Sequence, residues 1–392
     1  MPAGWDRNKL STTTPYVEGP ITVGGETVKA PIPKGYTASD ISTEDEISEG
    51  LVIYQGTSKV STDTNPQTSR NQFVWIPVPD INSMVMCKDN NKNNDGTVCN
   101  LVRQNDGSLK CMTHHANDND TELCGRLYGK DITPTSSTNT SSAASASNPY
   151  VFQTSMTFTD RTQTYTSNSD YREPDLVTDY DKDANSTYFE TAGMASEKRT
   201  ASDFLSQLET DFKAMVESVA TYGGFYVGRY EAGYDSSTYT SKKEQVVMNA
   251  STTSGKGATM WYGLYKHLRK ASTNDDALNS QMIWGCQYDQ VIKFIGNEAQ
   301  IGHTDRNLPG TNGSSDYRAS GVTPLDIMKN IYDLEGNYYE WTAQAYSDSI
   351  RVSRGGVCYR VSDSRFSPAS RRYDGDPSYT YDFYSSRPGL YL

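Results

Sequence analysis

Residues 330–342 read Asn330-Ile-Tyr-Asp-Leu-Glu-Gly-Asn-Tyr-Tyr-Glu-Trp-Thr342, and this stretch decides how the rest of the chain is read. Gly336 supplies a tight turn or a close backbone approach. Trp341 reads as a core ring whose N–H donates to a carbonyl. Asp333 and Glu340 read as buried carboxylates that satisfy backbone donors or an arginine such as Arg229 or Arg354. Shortly after comes Arg351-Val-Ser-Arg-Gly-Gly356, whose paired glycines suit another tight turn. Upstream lie Gly224-Phe-Tyr-Val-Gly-Arg-Tyr-Glu231 and Gln72-Phe-Val-Trp-Ile-Pro-Val78. Both read as strands, the second bounded by proline.

Between these segments the periodicity changes. Leu205, Leu208, Phe212, Met215, Val216 and Val219 recur at three- and four-residue spacing, which predicts a helix over 202–222. Ser202 suits its start, and Gly223 the left-handed position after its end. Shorter helices are predicted over 258–269 and 286–295. Residues 1–71 are rich in Thr, Ser, Gly and Pro, with runs such as Ile21-Thr-Val23 and Leu51-Val-Ile-Tyr54. They read as a short β-rich arm or small subdomain. Residues 87–200 read as a polar, cysteine-bearing insertion, within which 134–148 is a low-complexity Ser/Thr/Ala tract expected to stay flexible. Few helices, many short strands and long loops predict an α+β fold with much irregular structure.

Composition excludes several functions. The 392 residues are only 35% hydrophobic, with a mean hydropathy of −0.70. A net charge of −12 argues against nucleic-acid binding, which needs a basic surface. No run approaches the ~18 apolar residues of a membrane span. The opening Met1-Pro-Ala-Gly-Trp5 has neither basic nor apolar signal-peptide features. H-E-x-x-H, G-x-S-x-G, P-loop and dinucleotide-binding signatures are all missing. Tyrosine, at 28 residues against 10 phenylalanines, suits an exposed recognition surface.

Four segments in order, Phe73–Pro77, Gly224–Glu231, Asn330–Thr342 and Arg351–Gly356, resemble the formylglycine-generating (sulfatase-modifying) enzyme family. That family has a variant of the C-type lectin-like fold. The third segment is similar to its Gly-Asn-Val-Trp-Glu-Trp element and the fourth to its Arg-Gly-Gly element. The ending Ser386-Arg-Pro-Gly-Leu-Tyr391 is similar to its closing Gly-Phe-Arg strand, with Ser in place of Gly-Phe. The resemblance implies a lectin-like domain over 72–392. In active members two cysteines after Arg-Gly-Gly bind copper, a task for soft thiolates. The corresponding positions here are Arg360 and Arg365, and Cys358 stands alone at another offset. No formylglycine-generating activity is expected, and no catalytic residue is assigned. The family often holds structural calcium. The resemblance does not place its ligands on this chain.

Residues 357–384 are unusual. They contain five Tyr, two Phe, four Arg, four Asp and five Ser, and no Lys, Glu, Gln, Met, Trp, Ile or Leu. Chance absence of Lys, Glu, Gln, Met and Trp is on the order of one in a hundred. Randomising the adenines of an Asn codon yields every residue type found here and excludes Lys, Glu, Gln, Met, Trp and stop. The window thus resembles the variable region of proteins diversified by diversity-generating retroelements, which carry varied side chains on an exposed surface of the same fold. The resemblance implies ligand contacts from Val357, Cys358, Tyr359, Arg360, Val361, Asp363, Ser364, Arg365, Phe366, Arg371, Arg372, Tyr373, Asp374, Asp376, Tyr379, Tyr381, Asp382, Phe383 and Tyr384. Tyr338 and Tyr339 are expected beside them. Pro368–Ser370, Pro377, Thr380 and Ser385–Leu392 would be scaffold. The plainer alternative is a tyrosine-rich loop packed on its own domain.

Cys87, Cys99, Cys111 and Cys124 cluster in the insertion, while Cys286 and Cys358 stand apart. The cluster's spacing of about a dozen residues reads as two disulfides tying a polar insertion; free thiols and a zinc site that includes His114 and His115 stay open as alternatives, the zinc reading weakened because no C-x-x-C is present. Asp89-Asn-Asn-Lys-Asn-Asn-Asp-Gly96 is similar to a calcium loop, but Val102 stands where an EF-hand needs an acid. The leading expectation is a non-enzymatic binder of a protein or glycan on a cell surface, located extracellularly or on a phage particle. The rivals are a copper-dependent oxidase-like enzyme and a structural surface or pilus subunit without ligand.

Overall fold

The computed structural model describes residues 1–23, 26–78, 85–88, 101–103, 109–111, 123–126, 133–134, 139–140, 201–235, 238–248, 261–269, 278–295, 317–322, 327–334, 337–347, 350–355, 372–375 and 381–392. The chain opens with an antiparallel pair, β1 (Tyr16–Val23) and β2 (Glu26–Pro31). Next come β3 (Tyr36–Ala38), β4 (Val52–Gln55) and β5 (Gln72–Pro77). Four short strands follow: β6 (Val85–Lys88), β7 (Leu101–Arg103), β8 (Leu109–Cys111) and β9 (Leu123–Arg126). Then come α1 (Ala201–Tyr222), β10 (Gly224–Gly228), α2 (Trp261–Arg269), β11 (Asn279–Met282) and α3 (Gly285–Ile295). The last strands are β12 (Tyr339–Ser347), β13 (Ile350–Arg354), β14 (Arg372–Gly375), β15 (Tyr384–Ser386) and β16 (Pro388–Tyr391).

Two sheets organise the described residues. The larger has six antiparallel strands in the order β11-β16-β10-β5-β4-β3. The smaller runs β14-β13-β12-β15, antiparallel except for the parallel pair β12–β15. Mixed sheets with few helices agree with the α+β expectation. The expected boundary at 71/72 is corrected. It runs through the six-stranded sheet, because β3 and β4 are hydrogen-bonded onto β5. The apolar run Leu51–Tyr54 is fully buried there and needs that partner to satisfy its backbone groups.

Strand β5 is rich in β-branched and aromatic residues, which favour a pleated backbone. Every residue from Gln72 to Ile76 is buried, so both faces are covered. Trp75 faces Tyr226 of β10 in register, with ring centroids 4.9 Å apart. Helix α1 packs against β10, β2 and β16. Its stripe Leu208, Phe212, Met215, Val216 and Val219 is wholly buried, about 1.5–3 kcal/mol of hydrophobic stabilisation per side chain. Gly223 ends the helix at φ +77°, its N–H donating to the Val219 carbonyl (2.9 Å). The Asp211 carboxylate accepts from Tyr265 and from Arg269 Nε (2.6 Å) and Nη2 (3.1 Å), which joins α1 to α2.

Helices expected over 202–222 and 286–295 form within a residue of those bounds. The third forms over 261–269, and 258–260 lie outside the described residues. The low-complexity tract also lies outside them, apart from the strand residues 134 and 139–140. A Cβ at Gly224 would fall 2.3 Å from the Ile76 carbonyl oxygen and 2.5 Å from the Trp75 ring. Gly224→Ala should therefore cost about 1–3 kcal/mol by overpacking β10 against β5. Chemical denaturation of the variant checks this, and an unchanged midpoint would refute the close approach.

Candidate functional site

The C-terminal strands cross from one sheet to the other at a single residue. β15 pairs with β12 in the smaller sheet, β16 pairs with β10 and β11 in the larger, and Arg387 lies between them. Its guanidinium is fully buried. Nε and Nη2 reach Glu340 Oε1 at 2.9 and 2.6 Å. Nη1 donates to the Gly228 carbonyl (2.9 Å) and Nη2 to the Tyr332 carbonyl (2.7 Å). Glu340 thus finds an arginine as expected, but that arginine is Arg387. Arg229 instead donates to Glu44 (2.8 Å), Tyr54 and Gln72. Arg354 lies over the Tyr288 ring, 5.1 Å from its centroid.

The polar residues of 330–342 pin this corner. Asn337 takes a left-handed backbone (φ +50°), which Asn tolerates. Its Nδ2 and the Tyr338 N–H both donate to the Glu231 carboxylate. Its Oδ1 accepts from the Arg318 N–H (3.0 Å). Asp333 accepts from Ser320 Oγ (2.6 Å) and the Gly321 N–H (2.7 Å), so it does satisfy a backbone donor. The expectation for Trp341 is corrected. Its ring is buried, but among the described residues Nε1 has no hydrogen-bond partner, and its carbonyl accepts from Ser386 Oγ (2.7 Å). Gly355 adopts φ +85°, the turn geometry expected there; Gly336 and Gly356 lie outside the described residues.

An aromatic column rises from this corner. Trp341 stacks on Tyr384 of the parallel strand β15, at 4.4 Å and 24°. Tyr384 contacts Phe383 at 4.8 Å, and Phe383 stacks on Tyr381 at 4.8 Å and 11°. Burial falls along the column: Trp341 is 0% exposed, Tyr384 4% and Tyr381 46%. Asp382 is exposed beside Tyr381. The surface expectation therefore divides. Tyr381 and Asp382 face solvent and Phe383 is half-buried. Tyr338, Tyr339 and Tyr384 are at most 5% exposed, which corrects their expected exposure. Their physical reason is packing: Tyr338 stacks on Tyr317 at 4.4 Å, and Tyr339 and Tyr384 lean on each other and on Phe383.

Arg372, Tyr373 and Asp374 lie on β14, at the edge of the smaller sheet next to β13. Val357, Cys358, Tyr359, Arg360, Val361, Asp363, Ser364, Arg365, Phe366, Arg371, Asp376 and Tyr379 lie outside the described residues, as does the loop 89–96. Among the described residues no group of three or more His, Cys, Asp or Glu is placed to hold a metal ion. No helix there is long and apolar enough to cross a membrane.

No family model matches the chain, and no curated protein matches it. Solved structures that match include the Major Tropism Determinant I1 variant, 14% identical over 43% of this chain and 50% of that one, with a TM-score of 0.29. The U1 variant is 13% identical over 43% and 52%, with the same TM-score. PvdO from Pseudomonas aeruginosa is 12% identical over 44% and 82%, with a TM-score of 0.27. The chain spans about half the length of the tropism determinants it matches.

Three buried carboxyl groups share the corner around Arg387. Burial raises the pKa of Glu231 well above the carboxylate range, and the charges of Asp333 and Glu340 raise it further. Burial also raises Asp333 and Glu340, against the hydrogen bonds and the Arg387 charge that lower them. Unfolded carboxyls titrate near pH ~4. Between there and the raised folded values the native state binds more protons, so stability is present at low pH and declines as pH rises. Thermal unfolding should show this decline, and Glu231→Gln should flatten it; an equal slope in the variant would refute the assignment. Tyr384→Ser should cost about 3 kcal/mol or more, in the range of large-to-small core changes. Tyr381→Ser should stay within about 0.5 kcal/mol, as an exposed change does.

Proposed function

We propose that the chain is a non-enzymatic recognition protein with a C-type lectin-like fold of the formylglycine-enzyme type, whose C-terminal window is diversified by a retroelement. The observation that carries this reading is the composition of residues 357–384, every one of which is reachable from an Asn codon by changing adenines alone. The described geometry supports it at one place. Tyr381 and Asp382 stand exposed on a column whose root, Tyr384 and Trp341, is locked in the core. A rigid base with a solvent-facing ring and carboxylate presents contact area at little entropy cost. The partner class is a protein or glycan on a cell surface, met outside the cell that makes the chain or from a phage particle. The likeness to the tropism determinants does not carry this reading; the codon pattern and the exposed tip do.

Chemistry of the copper type needs two thiolates near Arg354–Gly356, and the two positions that match the enzymes are Arg360 and Arg365. Binding is therefore favoured over oxidation at this end of the molecule.

Sequencing the DNA around the gene tests the proposal. It should reveal a near-copy of the last ~100–150 nucleotides, altered mainly at template adenines, beside a reverse-transcriptase gene; this length follows from the compositional window. A locus with neither would overturn diversification. Independently, Tyr381→Ser with Asp382→Ala should weaken adhesion to the cells the wild type binds, at an unchanged unfolding midpoint. Full adhesion by the double variant would remove the exposed tip from the binding surface.

A further inference from the structure

The strand register of the cysteine-bearing segment distinguishes pairings that the sequence leaves open. Two short antiparallel ladders stand there, one inside the other in chain order. The outer ladder, β6 with β9, sets Val85 opposite Arg126, Met86 opposite Gly125, Cys87 opposite Cys124 and Lys88 opposite Leu123. The inner ladder, β7 with β8, sets Cys111 opposite Leu101. Residues directly opposed in an antiparallel pair lie on the same face, with Cα atoms about 4.5–5.5 Å apart. A disulfide needs about 4.4–6.8 Å. The register sets Cys87 directly opposite Cys124, a backbone separation that a disulfide can span, and sets Cys111 opposite Leu101.

We infer that Cys87 and Cys124 form a cross-strand disulfide closing the segment 88–123 at its base. An isolated two-stranded ladder is marginal in water, and a covalent tie at one of its rungs fixes the register that every other rung requires. Formation is thiol–disulfide exchange. One cysteine thiolate attacks a disulfide oxidant and releases one oxidant thiol. The other thiolate then attacks the mixed disulfide and releases the second. Two protons and two electrons pass from the cysteine pair to the oxidant, which leaves as two thiols. The bond belongs to an oxidising location, where such bonds persist. It stands independently of the diversified-surface proposal, since neither strand belongs to the 357–384 window.

Peptide mapping of the full chain tests it. The protein is equilibrated with excess oxidised glutathione, alkylated without reduction, and cleaved by trypsin and then after Glu122. The second cut is needed because trypsin alone leaves Cys111 and Cys124 on one peptide. Mass spectrometry should find the Cys87 peptide joined to the Cys124 peptide, and the link should vanish on reduction before alkylation. Recovery of Cys87 alkylated, glutathionylated, or joined to Cys99 or Cys111 would overturn the inference.

Discussion

The fold turns on one buried ion pair. Arg387 sits where the chain leaves the smaller sheet for the larger, and its guanidinium bonds Glu340 in one sheet and the last carbonyl of β10 in the other. Burying both charges costs several kcal/mol per ion before any attraction is counted. The pair is therefore poor evidence for stability and good evidence for geometry. A planar guanidinium with acceptors in three directions admits one arrangement.

That arrangement reaches the surface through the rings. Because Arg387 fixes β15 beside β12, Tyr384 stacks on Trp341. Phe383 and Tyr381 then continue the stack outward, and Ser386 Oγ ties the same strand to the Trp341 carbonyl. A side chain that must bind a partner loses less entropy on binding if its base is already ordered. The column separates two tasks within four consecutive residues: Tyr384 packs the core, while Tyr381 meets solvent.

The legible parts of the sequence were those with a period or a steric demand. The apolar stripe of α1 and Gly223 at its end could be read because helical spacing and a left-handed cap are local properties. Strand β5 could be read because its β-branched and aromatic run is bounded by proline. What could not be read was long-range. Nothing local tells Glu340 to choose Arg387 over Arg229 or Arg354, and nothing local tells β3, β4 and β5 to share a sheet with β10, β11 and β16, which lie far along the chain. Tyr381 and Tyr384 share a residue type and a compositional window. Only the parallel pairing of β12 with β15 decides which one is buried.

The same limit explains why a diversified reading of the window must stop short of Tyr384. A position free to become Ser, Asp or Gly cannot also be the ring that stacks on Trp341, since losing that ring opens a cavity beside the ion pair. Codon accessibility is a statement about what mutation can supply, and burial is a statement about what the fold can accept. Where both permit change, as at Tyr381 and Asp382, variation is cheap for the fold and visible to a partner. Where they disagree, packing decides, and on the proposed reading the outer edge of the core bounds the recognition surface.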